Sequence, residues 1–218
     1  MHVAVAGAAP PLDPLELASQ GPVIPVVVIE QAVHAVPMAR ALLAGGVRVV
    51  EVTLRTPAAI EAVEAITAYV TDCVVGAGTV TRAADIDRAI AAGAKFLVSP
   101  GTPGDLAAAL ADAPVPVLPG CATVSEAMAL AARGFKVLKF FPAEASGGTA
   151  WLKSVAAPLP EAKFCPTGGI DSRNAASYLA CPNVIAVGGS WAAPKDAIAS
   201  GDFSRITRLA REAAALRR

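Results

Sequence analysis

Short apolar runs alternate with alanine-rich segments along most of this 218-residue chain. Eight runs rich in valine, isoleucine and leucine have the length of buried strands: 23–29, 47–54, 74–77, 96–99, 115–118, 137–141, 163–165 and 184–187. Segments with helical spacing of apolar positions lie between them, for example 32–44, 58–69, 83–92, 124–133 and 172–179. Apolar strands alternating with helices are typical of a parallel α/β sheet covered by helices. Eight such repeats favour a closed (β/α)8 TIM barrel over an open doubly wound sheet.

Helix signals at both ends of the chain complete this picture. Asp13 can cap a helix, Pro14 suits its first turn, and Gly21 can end it. We therefore expect a helix at 14–20 that closes the bottom of the barrel, and a last helix from Phe203 to the C-terminal arginines. No linker-like stretch divides the sequence. The prediction is one barrel domain over 1–218, of which 1–20 form an N-terminal arm and helix.

The charges are balanced, with 18 acidic and 18 basic side chains, which gives no reason to expect nucleic acid or a membrane as a partner. The apolar run at 23–29 is too short to span a bilayer, and no secretory leader pattern begins the chain. We expect a cytoplasmic protein. Two histidines cannot build a metal site, so we expect no metal and no cofactor. The four separated cysteines are interpreted as reduced core residues: Cys73, Cys121, Cys165 and Cys181.

Lys139 is a charged residue inside the apolar strand predicted at 137–141. Burial disfavours the ammonium form of a lysine, and the neutral amine can attack a carbonyl carbon to form a Schiff base. Lys139 also lies towards the carboxyl end of its strand, where barrels carry their reactive groups. The other lysines begin strands or lie in helical and loop surroundings: Lys95, Lys136, Lys163, Lys153 and Lys195. The alternative is a lysine whose ammonium reaches solvent from the strand.

A second group of candidates follows from the strand predicted at 47–54. Alternation along the strand puts Glu51, Thr53 and Arg55 on one face. A carboxylate near an imine can move protons, and the planar fork of an arginine can bind the carboxylate of a 2-oxo acid. The alternative is a buried salt bridge between Glu51 and Arg55 with no catalytic role.

Small residues end several of the other strands. The segments 76–81 and 99–101 would let a substrate approach the backbone, and Thr79 would either bind its carboxylate or cap the next helix. The glycine pairs at 168–169 and 188–189 follow the last two strands, where many barrels hold a phosphate. Tight turns are the alternative explanation for each pair.

These motifs strongly resemble those of the class I 2-keto-3-deoxy-6-phosphogluconate (KDPG) aldolases, which also act as 4-hydroxy-2-oxoglutarate (KHG) aldolases. The similarity extends from about Gly21 to the C-terminal helix. Its most specific parts are Lys-Phe-Phe-Pro-Ala-Glu at 139–144 and Cys-Pro-Thr-Gly-Gly-Ile at 165–170, and the other matching segments are 45–57, 76–79, 99–101 and 188–191.

The resemblance implies that Lys139 forms the Schiff base, that Glu51 transfers protons, and that Arg55 and Thr79 bind the pyruvate carboxylate. The residues it assigns to the rest of the site are Pro100 and Phe141 in the lining, Thr167 in stereochemical control, and Gly168, Gly169, Gly189 and Ser190 around the phosphate. It implies a homotrimer without a metal, acting on a 2-oxo acid and a phosphorylated aldehyde in the Entner–Doudoroff route.

One position departs from the family pattern. Many relatives carry an arginine late in the first strand, where this chain has Val28, which leaves Arg55 as the only evident arginine of the site. Glu30, at the same strand end, is interpreted as a solvent-facing loop residue.

Other functions remain open at this level. An aldolase that prefers unphosphorylated KHG or a differently configured sugar acid would use the same residues. An isomerase or epimerase with a phosphate site, or a noncatalytic sensor of small ligands, would leave the coincidence of Lys139 and Glu51 at barrel strand ends unexplained.

Overall fold

The structure is a computed structural model that describes residues 13–216. Its strands are β1 (Val23–Val27), β2 (Val49–Thr53), β3 (Val74–Gly78), β4 (Leu97–Val98), β5 (Val117–Leu118), β6 (Gly120–Cys121), β7 (Val137–Phe140), β8 (Lys163–Pro166) and β9 (Val187–Gly189). Its α-helices are α1 (Pro14–Ser19), α2 (Ala35–Ala44), α3 (Ala59–Tyr69), α4 (Ala83–Ala91), α5 (Gly104–Ala111), α6 (Val124–Ala132), α7 (Gly148–Val155), α8 (Ala175–Leu179), α9 (Lys195–Ser200) and α10 (Phe203–Ala214).

The strands are parallel and form a curled sheet, as the alternating pattern predicts. One group has the order β5-β4-β3-β2-β1-β9 and the other β6-β7-β8. Pro119 separates β5 from β6, since it has no N–H to donate, yet its carbonyl accepts a hydrogen bond from the Lys139 N–H at 2.9 Å. Two parallel bridges, Phe164 to Val184 and Thr167 to Gly188, connect the β8 segment with the β9 segment.

The boundaries differ from prediction at a few places. The strand predicted at 184–187 begins only at Val187 and continues through the glycines, because Gly188 and Gly189 pair with β1. The helix predicted at 32–44 is divided into a 3-10 turn, Ala32–His34, and α2. The pattern does not single out α5, α7 and α9. The predicted arm at 1–12 and the arginines at 217–218 lie outside the described residues.

The inner surface of the sheet follows the predicted alternation. Val49 packs in one cluster with Val137, while Val50 and Val52 pack in another, with residues of the outer helices. Glu51 and Lys139 share the faces of Val49 and Val137, respectively. Their side chains meet although β2 and β7 are not neighbours in the sheet, so this contact crosses the interior.

Helix α1 begins as the sequence predicts. The Asp13 carboxylate accepts a hydrogen bond from the Leu15 N–H at 2.8 Å, and that bond, with help from the Lys136 ammonium, lowers the pKa of Asp13. Leu17 and Ala18 are fully buried in the inner cluster with Val49 and Val137. The helix thus seals the inner core near the amino ends of the strands.

The cysteines and the helix lengths add two observations. All four cysteines are buried and free, which confirms the interpretation as reduced core residues. Within residues 13–216, no helix has both the length and the apolar character needed to cross a membrane.

The buried side chain of Leu17 should contribute strongly to stability. Leu17→Ala removes a side chain with no solvent exposure, and we expect a loss of about 2–5 kcal/mol in the free energy of unfolding. Leu15→Ala, in the same helix at 38% exposure, is the matched control and should cost about 0.5 kcal/mol or less. Urea unfolding of both variants tests this, and equal losses would mean that α1 does not seal the core.

Candidate active site

Lys139 and Glu51 form a buried ion pair. The Lys139 Nζ lies 3.1 Å from the Glu51 Oε1, and each side chain is only 4% exposed. The alternative of a lysine that reaches solvent is therefore wrong. Taking two charges out of water is costly, and their mutual hydrogen bond offsets that cost only when the geometry is good. Because burial of the two charges costs free energy, a chemical role explains this pair better than a contribution to stability does.

Gly78 on β3 makes room for the Glu51 carboxylate. Thr53 of β2 is paired with Gly78, and any Cβ atom at position 78 would overlap the carboxylate of Glu51. The sequence motif at 76–81 predicts a close approach of backbone to substrate. The structure shows that one of its glycines instead admits a side chain of the site.

The residues beside Lys139 on the two adjacent strands offer no competing nucleophile. Gly120 and Cys165 are its register partners on the two adjacent strands. Burial raises the pKa of the Cys165 thiol to about 12, so the thiol stays protonated and unreactive near neutral pH. Pro100 lies behind Gly120, where any Cβ atom would overlap its carbonyl group. Gly120 therefore lies between Pro100 and β7, the strand that carries Lys139.

Arg55 and Thr79 contact each other. The Arg55 Nε donates a hydrogen bond to the Thr79 Oγ1 at 3.1 Å. Thr79 has a positive φ of 61°, a strained conformation for a β-branched residue and one that occurs preferentially at functional sites. Helix α4 begins at Ala83 with Arg82 at its N-cap, so Thr79 does not cap it. Because Glu51 pairs with Lys139, the alternative of a structural Glu51–Arg55 bridge is wrong.

One cavity of about 300 Å³ gathers most of the predicted substrate-binding residues. Its lining includes Arg55, Phe141, Thr167, Gly168, Gly169, Gly189 and Ser190. The Phe141 ring connects this cavity to the reactive pair, since its centroid lies 5.4 Å from the Lys139 Nζ. Thr79 and Pro100 do not belong to the lining. A larger cavity, about 460 Å³, lies beside Asp13 and Lys136 at the opposite ends of the strands, away from this chemistry.

The loop of Gly168 and Gly169 is held by the segment after β7. Both glycines have positive φ, 99° and 78°, which other residues rarely adopt. The Glu144 N–H donates to the Gly168 carbonyl at 3.1 Å, and the Asn174 Nδ2 donates to the Gly169 carbonyl at 2.9 Å. The Tyr178 hydroxyl donates to the Glu144 carboxylate, which fixes Glu144. These hydrogen bonds hold the loop in its position in the lining of the cavity.

Sequence reasoning missed several residues of the cavity. Those it did not assign are Val26, Ile170, Ala193 and Lys195, whereas Val28, at the position of the family arginine, lies in the lining as that position implies. Lys195 lies in helical surroundings as predicted, at the start of α9, but the sequence did not identify it as a residue of the cavity. The available signal was its position five residues after Ser190, at the carboxyl end of a strand. In the described part of the chain, no group of three His, Cys, Asp or Glu side chains is arranged to hold a metal ion.

The sequence is similar to those of known proteins over most of its length. The family model described as "KDPG and KHG aldolase" matches residues 16–209. A 2-dehydro-3-deoxy-phosphogluconate aldolase of Dickeya dadantii is 51% identical over 92% of this chain and 94% of its own, and a KHG/KDPG aldolase of Escherichia coli is 50% identical over 88% and 91%.

A solved structure is also similar. The KDPG aldolase from Legionella pneumophila, with pyruvate captured at low pH as a covalent carbinolamine intermediate, has a TM-score of 0.91 and 45% identity, covering 93% of this chain and 98% of its own. The match extends over nearly the whole fold, so it does not depend on a single motif. The chain belongs to the KDPG and KHG aldolase family.

Proposed function

We propose that this protein is a Schiff-base aldolase that cleaves KDPG to pyruvate and glyceraldehyde 3-phosphate, and KHG to pyruvate and glyoxylate. The observation that carries the proposal is the buried pair of Lys139 and Glu51 at 3.1 Å, next to a cavity lined by glycine loops. The relatives named for both substrates support it, as does the Legionella enzyme with its covalent pyruvate adduct.

The reaction begins at the Lys139 amine. Transfer of a proton from Lys139 to Glu51, along their hydrogen bond, leaves the amine neutral and able to attack the C2 carbonyl of the substrate. The C–N bond forms as the carbonyl oxygen takes up a proton, which gives a carbinolamine. Loss of water then yields a protonated imine. Burial favours this step, because it keeps competing water away from the amine.

The imine then accepts the electrons of the broken bond. Glu51, directly or through a water molecule, removes the proton of the C4 hydroxyl, and the C3–C4 bond breaks as C4 becomes an aldehyde. The electron pair moves into the imine and forms an enamine. Protonation of the enamine at C3 and hydrolysis of the resulting imine release pyruvate and restore Lys139.

The remaining residues bind the two ends of the substrate. Arg55 and Thr79, already joined by a hydrogen bond, take the carboxylate at C1. Phe141 and Pro100 line the region around the lysine, and Thr167 contacts the aldehyde carbon. The phosphate is received by the backbone around the glycine loops: Gly168, Gly169, Gly189 and Ser190.

The same proposal includes the architecture around the site. The curled sheet closes into one (β/α)8 barrel domain over 1–218, with α1 at its bottom, and the bridges between the β8 and β9 segments support this closure. The protein acts in the cytoplasm, without a metal or cofactor, on small molecules only. It assembles as a homotrimer, as the resemblance to the family implies.

Lys139 should be the residue that pyruvate labels. Incubation with pyruvate and borohydride should add a reduced three-carbon fragment to Lys139, detected by mass spectrometry of peptides. Lys139→Met should lose both this adduct and KDPG cleavage, because no other amine replaces the nucleophile. Lys136→Met, which alters an exposed lysine in the same segment, should retain both. An adduct on another lysine would contradict the assignment.

Glu51 should be needed for proton transfer more than for adduct formation. In Glu51→Gln, which keeps the size of the side chain, the borohydride adduct should still accumulate given time. Exchange of the pyruvate methyl protons with deuterium should fall by about 10²–10⁴-fold, as expected for loss of a general acid–base group. Glu61→Gln, on the exposed face of α3, is the control. Unchanged exchange in Glu51→Gln would remove Glu51 from the mechanism.

The trimer is tested by the mass in solution. Light scattering during size-exclusion chromatography should give three times the chain mass of 21.9 kDa. A mass of one or two chains, constant over a hundredfold dilution, would contradict the proposed assembly.

A further inference from the structure

Lys195 is an unassigned cation in the cavity of the site. It begins α9 and lines the cavity together with Gly169, Gly189 and Ser190. Its side chain is 65% exposed, and its Nζ lies 2.7 Å from the Glu30 Oε1. Lys195 therefore holds an exposed positive charge on the side of the cavity where the proposed function places the phosphate.

The charges of the cavity divide between two ends. Among the described residues that line it, Arg55 and Lys195 are the positively charged ones. Arg55 is bonded to Thr79, on the side assigned to the substrate carboxylate. Val28, in the same lining, brings no charge. The glycine backbone offers N–H dipoles to the phosphate but no net charge, so Lys195 is the cation available to balance a dianion.

Glu30 competes for the same ammonium. Glu30 is 47% exposed, and ion pairs between exposed groups are weak, so a ligand can displace this one. The adjacent acid, Asp196, pairs with Arg205 at 2.6 Å and is engaged elsewhere. A phosphate dianion offers more charge and more acceptor oxygens than the single carboxylate of Glu30. Substrate binding can therefore exchange one partner of Lys195 for another.

We propose that Lys195 determines the preference for phosphorylated substrates: its ammonium leaves Glu30 and binds the phosphate of KDPG, and Glu30 opposes this exchange. The inference rests on the proposed aldolase function. Lys195 then sets the substrate specificity, and the Glu30 carboxylate competes with the substrate phosphate for the Lys195 ammonium. The reacting atoms at Lys139 do not take part, so reactions of pyruvate alone should be indifferent to both residues.

The experiment compares KDPG with unphosphorylated 2-keto-3-deoxygluconate, with pyruvate methyl-proton exchange as the reference activity. In Lys195→Met, kcat/KM for KDPG should fall about tenfold, mainly through KM, because a charge-assisted bond is lost. Turnover of the unphosphorylated acid and pyruvate exchange should stay within twofold. Lys195→Arg, which keeps the charge, should restore most of the KDPG activity. Lys153→Met, an exposed lysine on α7, is the control.

Glu30→Gln tests the competition. Removing the carboxylate should raise kcat/KM for KDPG about two- to threefold and leave pyruvate exchange unchanged. The KM for KDPG should rise with salt in the unaltered protein, and less steeply in Lys195→Met, because screening acts on the lost contact.

Different results would contradict the proposed aldolase function and the proposed role of Lys195. If the unaltered protein does not cleave KDPG, the proposed aldolase function is wrong. If it cleaves KDPG and Lys195→Met keeps the preference for the phosphorylated substrate, only the role of Lys195 is overturned. A parallel loss of pyruvate exchange in Lys195→Met would also overturn it, because the effect would then be structural.

Discussion

The contact between Lys139 and Glu51 constrains the whole molecule. A buried ammonium and carboxylate are tolerable only when each is held at hydrogen-bonding distance of the other, and here they come from strands that are not neighbours. The curvature of the sheet brings those strands face to face. The inner core, the placement of α1 at the far end and the glycines beside the pair all serve to keep this contact dry and fixed.

Around that pair, buried and exposed charges occupy different parts of the site. Lys139 and Glu51 are almost fully buried, while Arg55 and Lys195 are exposed at the cavity. Charged groups at such a mouth can attract an anionic substrate and still release the product, because solvent weakens each contact. A buried arginine would bind a phosphate more tightly and release it more slowly. The buried contact between Lys139 and Glu51 is therefore strong, whereas the exposed charges of Arg55 and Lys195 make weaker contacts that a ligand can leave.

Much of this arrangement could be predicted from the sequence. Period-two alternation puts Glu51 and Lys139 on inner faces, and the strand-end rule selects Lys139 among the lysines. What could not be predicted depends on contacts between distant segments. The limits of β9 follow from pairing of its glycines with β1, not from hydrophobicity. Lys195 lines the same cavity as Ser190, and no pattern within α9 itself reveals this position or the pairing with Glu30.

Gly78 has a consequence for how such a site can vary. Its hydrogen atom occupies the place where any other residue would bring carbon against the Glu51 carboxylate. Enlarging position 78 would therefore push the Glu51 carboxylate out of its present place unless β3 moved. Positions 30 and 195, on the exposed rim of the cavity, carry no such constraint, because the side chains of Glu30 and Lys195 extend into solvent.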